Sequence, residues 1–205
     1  MRSVPPLPFL DYQRIYQFIF DALESSGSTI THRSCVFFAA TGATILREHY
    51  NVPATISVGC MALRVDELQP NVVIYGRNEN GCLQSDENAF HSWVEYDGWL
   101  IDFMAPILNI ALQRAGTNWS VPSRMLQKNL ADSKNSLGEI QHAGDFVVGH
   151  NTELANLVLD SQSARFFQLM EVCVGNYRKL SEPLKMTAST DTYSLSRAPS
   201  IEGNW

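Results

Sequence analysis

The sequence lacks the features that mark membrane, secreted and nucleic-acid-binding proteins. Acidic residues outnumber basic ones, 21 to 15, and the formal net charge of -6 argues against a sequence-independent grip on nucleic acid. No apolar run is long enough to span a bilayer. Prolines follow Arg2 within a few residues where a secretory signal would need an apolar stretch. We therefore expect a cytoplasmic protein that binds neither membranes nor nucleic acid.

Cysteine is scarce and scattered. The four cysteines are Cys35, Cys60, Cys82 and Cys173, and no two form a C-x-x-C pair. This spacing supports neither a disulfide framework nor a structural zinc site. Cys60 and Cys173 stand in apolar segments and are expected to be buried, whereas Cys82 stands in a polar loop. Cys35 needs a separate explanation.

The remaining pattern predicts one α+β domain over residues 1–180. The 205 residues, 45% of them hydrophobic, are enough for a sizeable core. Residues 181–205 are rich in Ser, Thr and Pro, and this composition predicts a flexible polar C-terminal tail. Helices are predicted from Asp11 to the serine cluster at 25–28 and over 33–50, 107–115 and 153–180, the last either continuous or broken near Asp160-Ser161. Strands are predicted over 54–63, 71–75, 91–96, 99–104 and 145–149. The segments 76–88 and 116–141 are predicted to be loops.

The clearest local signal is a β-hairpin around Asp97-Gly98. An Asp-Gly pair between two strand-like runs is typical of a two-residue type I′ turn. Pairing outward from this turn sets Trp93 opposite Asp102, so His91 and Asp102 share one face as diagonal neighbours. The other face is wholly apolar or aromatic, which fixes the register. It collects Val94, Tyr96, Trp99, Ile101 and Phe103.

A histidine beside a carboxylate suits one chemical task. The carboxylate fixes the ring tautomer and stabilises the imidazolium, and the second ring nitrogen is left to act on a nucleophile. Glu95 is a poorer partner for His91, because four residues of strand separate them by about 13 Å.

Cys35 is the best candidate nucleophile. It stands near the start of the second predicted helix, where the helix dipole and free N–H groups favour a thiolate. Its own N–H could also donate to an oxyanion. A lone cysteine is more often a small buried hydrophobic residue, so the interpretation depends on the His91–Asp102 pair.

Other residues could line such a site or offer a different one. His32, Ser34, Trp93 and Asn88 are the further candidates to line it. A metal site built from Cys35, His91 and Asp102 with His32 is a weaker alternative, because no short ligand spacing supports it. We expect no metal and no cofactor. His49 is expected to contact helix-end carbonyls, and His142 and His150 to be solvated.

Three blocks of the sequence resemble the transglutaminase-like and papain-like cysteine superfamily. They are a cysteine that opens a helix at Cys35, the passage from Leu46-Arg47 through Asn51-Val52-Pro53-Ala54 to Val58-Gly59, and the run from His91-Ser92-Trp93 through Gly98-Trp99 to Asp102. They cover about residues 30 to 106, and their order is Cys, His, Asp. Asn51 stands where that pattern often has glycine, and no papain-like oxyanion glutamine precedes Cys35. The likeness is to uncharacterised bacterial members.

The resemblance implies a fold and a function. The fold would be α+β, with the cysteine helix packed on an antiparallel sheet or half-barrel. Cys35 would be the nucleophile, His91 the base and acid, and Asp102 the orienting residue. The expected function is a cysteine peptidase or amidase that forms a thioester on a peptide or small amide or acyl substrate. The alternatives are an acyltransferase like a transglutaminase or an arylamine acetyltransferase, and a non-catalytic domain that binds a peptide or small molecule.

Overall fold

The computed structural model describes residues 4–28, 31, 34–178 and 198–205. Its architecture is a curled antiparallel sheet, forming a half-barrel, packed with helices. The helices are α1 (Phe9–Ser25), α2 (Cys35–Tyr50), α3 (Leu108–Arg114), α4 (Thr152–Asp160) and α5 (Ala164–Asn176). The strands are β1 (Thr55–Arg64), β2 (Val72–Tyr75), β3 (Arg77–Glu79), β4 (Cys82–Gln84), β5 (His91–Tyr96), β6 (Trp99–Asp102), β7 (Leu126–Asn129) and β8 (Phe146–His150). No helix in these ranges is long and apolar enough to cross a membrane.

Strand β1 pairs with three other strands of the main sheet. The strand order is β2-β1-β5-β6-β7, and β8 also pairs with β1. Gly59 pairs with His91 of β5 on one side and with His150 of β8 on the other. A side chain at Gly59 would collide with the Gly149 carbonyl, so glycine lets β1 and β8 approach. The sheet thereby brings the start of β5 into its centre.

Both faces of this sheet are covered. On one face α2 and α4 pack on β1 and β5, and α1 and α5 pack on α2, in a core that includes Val58, Val94 and Ile101. The opposite face forms a second core around Trp93, which has no exposed surface. Because side chains alternate between the faces, His91, Trp93 and Asp102 point to the side of the second core. His91 is the first residue of β5 and Asp102 the last of β6, so this pair lies at the strand ends, where the imidazole can still interact with Cys35 at the start of α2.

The predicted hairpin is confirmed in its register. Val94 pairs with Ile101 and Tyr96 with Trp99. Asp97 and Gly98 have φ angles of 48° and 75°, as a type I′ turn requires. Asn51 follows the end of α2 and has a left-handed backbone with φ 57°. Asparagine tolerates this conformation better than most residues, which explains why it can stand where the resembled pattern has glycine.

Three segments differ from the sequence prediction. The predicted loop over 76–88 contains the small hairpin β3–β4, turning at Asn80-Gly81. The predicted loop over 116–141 contains β7, which pairs with β6. Within the predicted tail, residues 198–205 pack on the domain, where the Met125 N–H donates to the Gly203 carbonyl and Ile201 is buried. The rest of that tail, 181–197, lies outside the described residues.

The close contact between α2 and the sheet supports a stability prediction. A methyl group at Gly42 would overlap the ring of Phe103, whereas Gly175 in α5 has open space around it. We expect Gly42→Ala to lower the free energy of unfolding by about 1–3 kcal/mol through overpacking. The matched variant Gly175→Ala should raise it by about 0.5–1 kcal/mol, since alanine favours the helix. Urea denaturation measures both, and equal effects would contradict the packing described.

Candidate active site

Cys35 is the first residue of α2. Ser34 stands immediately before the helix, and the Phe38 N–H donates to the Ser34 carbonyl as the first helical bond. The N–H groups of the first turn have no acceptor within their own helix, so they point outward beside the thiol. Only 8% of Cys35 is exposed, and the residue belongs to the first core, which includes side chains of α2 and of the sheet.

His91 and Asp102 form a buried pair. The His91 Nε2 atom lies 2.8 Å from Asp102 Oδ2, and both side chains are nearly inaccessible to solvent. The other carboxylate oxygen, Oδ1, accepts a hydrogen bond of 2.8 Å from the Met104 N–H. Each oxygen of Asp102 therefore has a donor, and the carboxylate is held in one orientation.

A tyrosine from α1 fixes the backbone behind this pair. The Tyr12 hydroxyl donates to the Asp102 carbonyl and accepts from the Leu126 N–H. Burial, followed by the nearby Asp102 charge, raises the pKa of Tyr12, so it remains a neutral donor. The sequence gives no signal for this contact, because α1 and β6 are far apart along the chain.

The second nitrogen of His91 is left beside Cys35. Nδ1 is buried and has no hydrogen-bond partner of ordinary geometry in the described part of the chain. The Cys35 thiol nonetheless interacts with this imidazole. With Nε2 occupied by Asp102, Nδ1 is the atom available to exchange a proton with the sulfur. Catalytic hydrogen bonds are often loose before substrate binds.

The surroundings of His91 favour its charged form. Burial lowers the pKa of His91, but the charge and hydrogen bond of Asp102, with a contribution from the Cys35 thiol, raise it overall to about 10. A protonated imidazole between a carboxylate and a sulfur is the arrangement needed to stabilise a thiolate.

Tyr75 covers the imidazole ring. Its ring centroid lies 4.2 Å from that of His91, with an angle of 21° between the planes. Met61 of β1 pairs with Tyr75, and Gly59, two residues earlier, pairs with His91. The two rings therefore meet over the same face of β1. Strand β2 was predicted from its sequence, but its position beside His91 was not.

The remaining site-lining candidates lie at different distances from the pair. Trp93 is on the His91 face, with ring centroids 6.4 Å apart. Ser34 adjoins Cys35, whereas Asn88 is exposed in the loop before β5. His32 lies outside the described residues. Of the candidates that are described, Trp93 therefore lies beside His91, Ser34 lies beside Cys35, and Asn88 lies on the surface.

Glu95 and the other histidines serve elsewhere. Glu95 accepts from Trp93 Nε1 at 2.6 Å and contacts His150 Nε2 at 2.5 Å, so it does not orient His91. His49 contacts the Val174 carbonyl at the end of α5, and His142 contacts Glu67 at the surface. Among the described residues, no three His, Cys, Asp or Glu side chains are grouped to hold a metal ion.

The other cysteines are placed as expected. Cys60 and Cys173 are buried and free, and Cys82 is exposed and free. Burial raises the pKa of both buried thiols, that of Cys173 to about 12, which keeps them unreactive. Cys82 therefore provides an internal reference for an ordinary exposed thiol.

Two cavities open away from the triad. One, of about 460 Å³, lies between Pro106 and Glu202, and the other, of about 560 Å³, lies around Lys128 and Asp145. Neither is lined by Cys35, His91 or Asp102.

Comparison with known proteins gives a family and a fold. The family model described as "Protein of unknown function (DUF2026)" matches residues 8–198. A crystal structure described as that of a genomics target is 26% identical with a TM-score of 0.75, and the match covers 99% of this chain and 98% of that one. No curated protein matches the sequence.

Proposed function

We propose that this chain, which belongs to the DUF2026 family of proteins of unknown function, is a thiol-dependent acyl-transfer enzyme. Cys35 is its nucleophile, His91 its acid and base, and Asp102 the residue that orients His91. The observation that carries the proposal is the buried His91 ring, whose Nε2 is bonded to Asp102 at 2.8 Å, whose Nδ1 has no hydrogen-bond partner among the described residues, and which interacts with Cys35, the first residue of α2. We also propose that the fold is a branch of the transglutaminase-like and papain-like group.

The reaction follows from these positions. The Cys35 thiolate attacks the acyl carbon, and the imidazolium of His91 gives its Nδ1 proton to the leaving amine or alcohol as the bond from the acyl carbon to that group breaks. A thioester on Cys35 remains. Water or an acceptor amine then attacks the thioester, and neutral His91 removes its proton. The carbon–sulfur bond breaks and the thiolate–imidazolium pair is restored.

Hydrolysis is the favoured outcome of the second step. The described residues include no recognised motif for an amine acceptor, and water reaches any opening that admits substrate. The acyl donor we propose is a peptide or a small amide, as the sequence resemblance implies. Transfer to an amine differs only in which nucleophile reaches the thioester.

Alkylation by iodoacetamide tests the proposed thiol chemistry. Cys35 is expected to react at neutral pH at least about tenfold faster than the exposed Cys82, because a thiolate rather than a thiol is the nucleophile. His91→Gln should reduce the Cys35 rate and leave the Cys82 rate unchanged. Peptide mass spectrometry resolves the two positions.

The alternative of a non-catalytic binding domain gives a different result. Cys35 would then behave as a buried thiol and react more slowly than Cys82 in both proteins. Fast alkylation of Cys35 at the same rate in wild type and His91→Gln would also contradict the proposed pairing of Cys35 with His91.

A further inference from the structure

Among the described residues, Tyr75 is the aromatic side chain nearest to the proposed catalytic histidine. The ring lies flat against His91 with centroids 4.2 Å apart. Within the described residues, no group forms a hydrogen bond with the Tyr75 hydroxyl. The oxygen is not among the fully buried polar atoms that lack a partner, so solvent reaches it and a bound group can take the place of water there.

The electrostatic surroundings show what the hydroxyl is near. Burial raises the pKa of Tyr75, and the charges of Asp102 and Cys35 raise it further. The phenol therefore stays protonated at any working pH and can only donate its hydrogen to an anion. The Tyr75 ring stacks on the imidazole with which the Cys35 thiol interacts, so the phenol belongs to the same cluster of side chains as the thiol and the His91–Asp102 pair.

The proposed reaction requires such a donor. Attack on an acyl carbon converts its carbonyl oxygen into an oxyanion, which normally takes hydrogen bonds from two positioned donors. The N–H of Cys35 can supply one, at the open first turn of α2. The sequence has no glutamine in the residues just before Cys35 to supply the other.

We propose that Tyr75 is a catalytic residue whose hydroxyl donates the second hydrogen bond to the oxyanion formed at Cys35. This inference rests on the proposed function. The hydroxyl gives up no proton: its hydrogen bond forms with the acyl oxygen and strengthens as negative charge develops there. Stacking on His91 holds the ring in place, so the donor is oriented before the substrate arrives.

The substitution Tyr75→Phe distinguishes the effect of the hydroxyl from the effect of the ring. Phenylalanine keeps the stacking surface and removes only the oxygen. With p-nitrophenyl acetate as the acyl donor, we expect acetylation of Cys35 to slow by about 10²-fold in this variant, the usual loss for one oxyanion donor. Alkylation by iodoacetamide should change by less than about twofold, because displacement at a saturated carbon forms no oxyanion.

Tyr96→Phe is the matched control. Tyr96 is half-buried on the same strand as His91 but on the opposite face, so losing its hydroxyl should alter neither rate. Thermal melting of the three proteins checks that each is folded. Release of p-nitrophenol gives the acetylation rate, and peptide mass spectrometry gives the position of the adduct.

Three results would overturn the inference, and they differ from one another. Equal acetylation of wild type and Tyr75→Phe shows that the hydroxyl has no role, while the proposed function stands. Equal losses of acetylation and alkylation show that Tyr75 only positions His91. No acetylation of Cys35 in the wild type removes the inference together with the proposed function.

Discussion

Asp102→Asn is expected to lower the rate of Cys35 acetylation by about 10³–10⁴-fold. Asp102 accepts from His91 Nε2 with one oxygen and from the Met104 N–H with the other. An asparagine side chain has only one acceptor, so its NH₂ group must face either the imidazole or the Met104 N–H. If the amide faces His91, Nδ1 carries the proton of the neutral ring and cannot receive one from the thiol.

The same substitution should also reduce stability. If the amide instead turns away from His91, two donors meet at Met104 in a buried site, which costs about 1–3 kcal/mol. Asp86→Asn is the control, because Asp86 pairs with Arg77 at the surface and its loss should change the free energy of unfolding by less than about 0.5 kcal/mol. Acetylation of Asp102→Asn at the wild-type rate would contradict the orienting role of this carboxylate.

The charge on His91 makes stability depend on pH. The pKa of His91 is raised to about 10 in the folded protein, chiefly by Asp102 acting against burial, and it is about 6.5 in an unfolded chain. The folded state therefore holds a proton that the unfolded state releases above pH 6.5. The stabilisation from this group is fully present below pH 6.5 and is lost as the pH rises through about 10.

Comparison with His91→Gln isolates this contribution. Glutamine cannot titrate, so the difference in free energy of unfolding between wild type and variant should shrink by a few kcal/mol between pH 6.5 and 10. Urea denaturation at several pH values measures the difference. Parallel pH profiles for the two proteins would mean that His91 is neutral in the folded state.

The local parts of the site could be predicted from the sequence. The Asp97-Gly98 turn sets the register of its own hairpin, and that register alone brings His91 and Asp102 to one face. The position of Cys35 near the start of a helix is equally local: the sequence predicts a helix over 33–50, and α2 begins at Cys35. Such features depend on residues that are near one another in the chain.

The missed parts depend on distant contacts. Tyr75 reaches His91 only because β2 and β5 both pair with β1, and no sequence pattern specifies that pairing. Strand β7 is short and mostly polar, so it is strand only because β6 offers it an edge. The last residues are sparse in apolar side chains, yet Ile201 is buried and Arg124 lies over the Trp205 ring at 5.2 Å.

The central proposal is that the Cys35 sulfur accepts an acyl group. The most direct measurement is peptide mapping of the protein after brief exposure to p-nitrophenyl acetate at neutral pH. We predict an acetyl group on Cys35 in the wild type, formed much more slowly in His91→Gln. An acetyl group found first on the exposed Cys82, or equal labelling of Cys35 in both proteins, would contradict it.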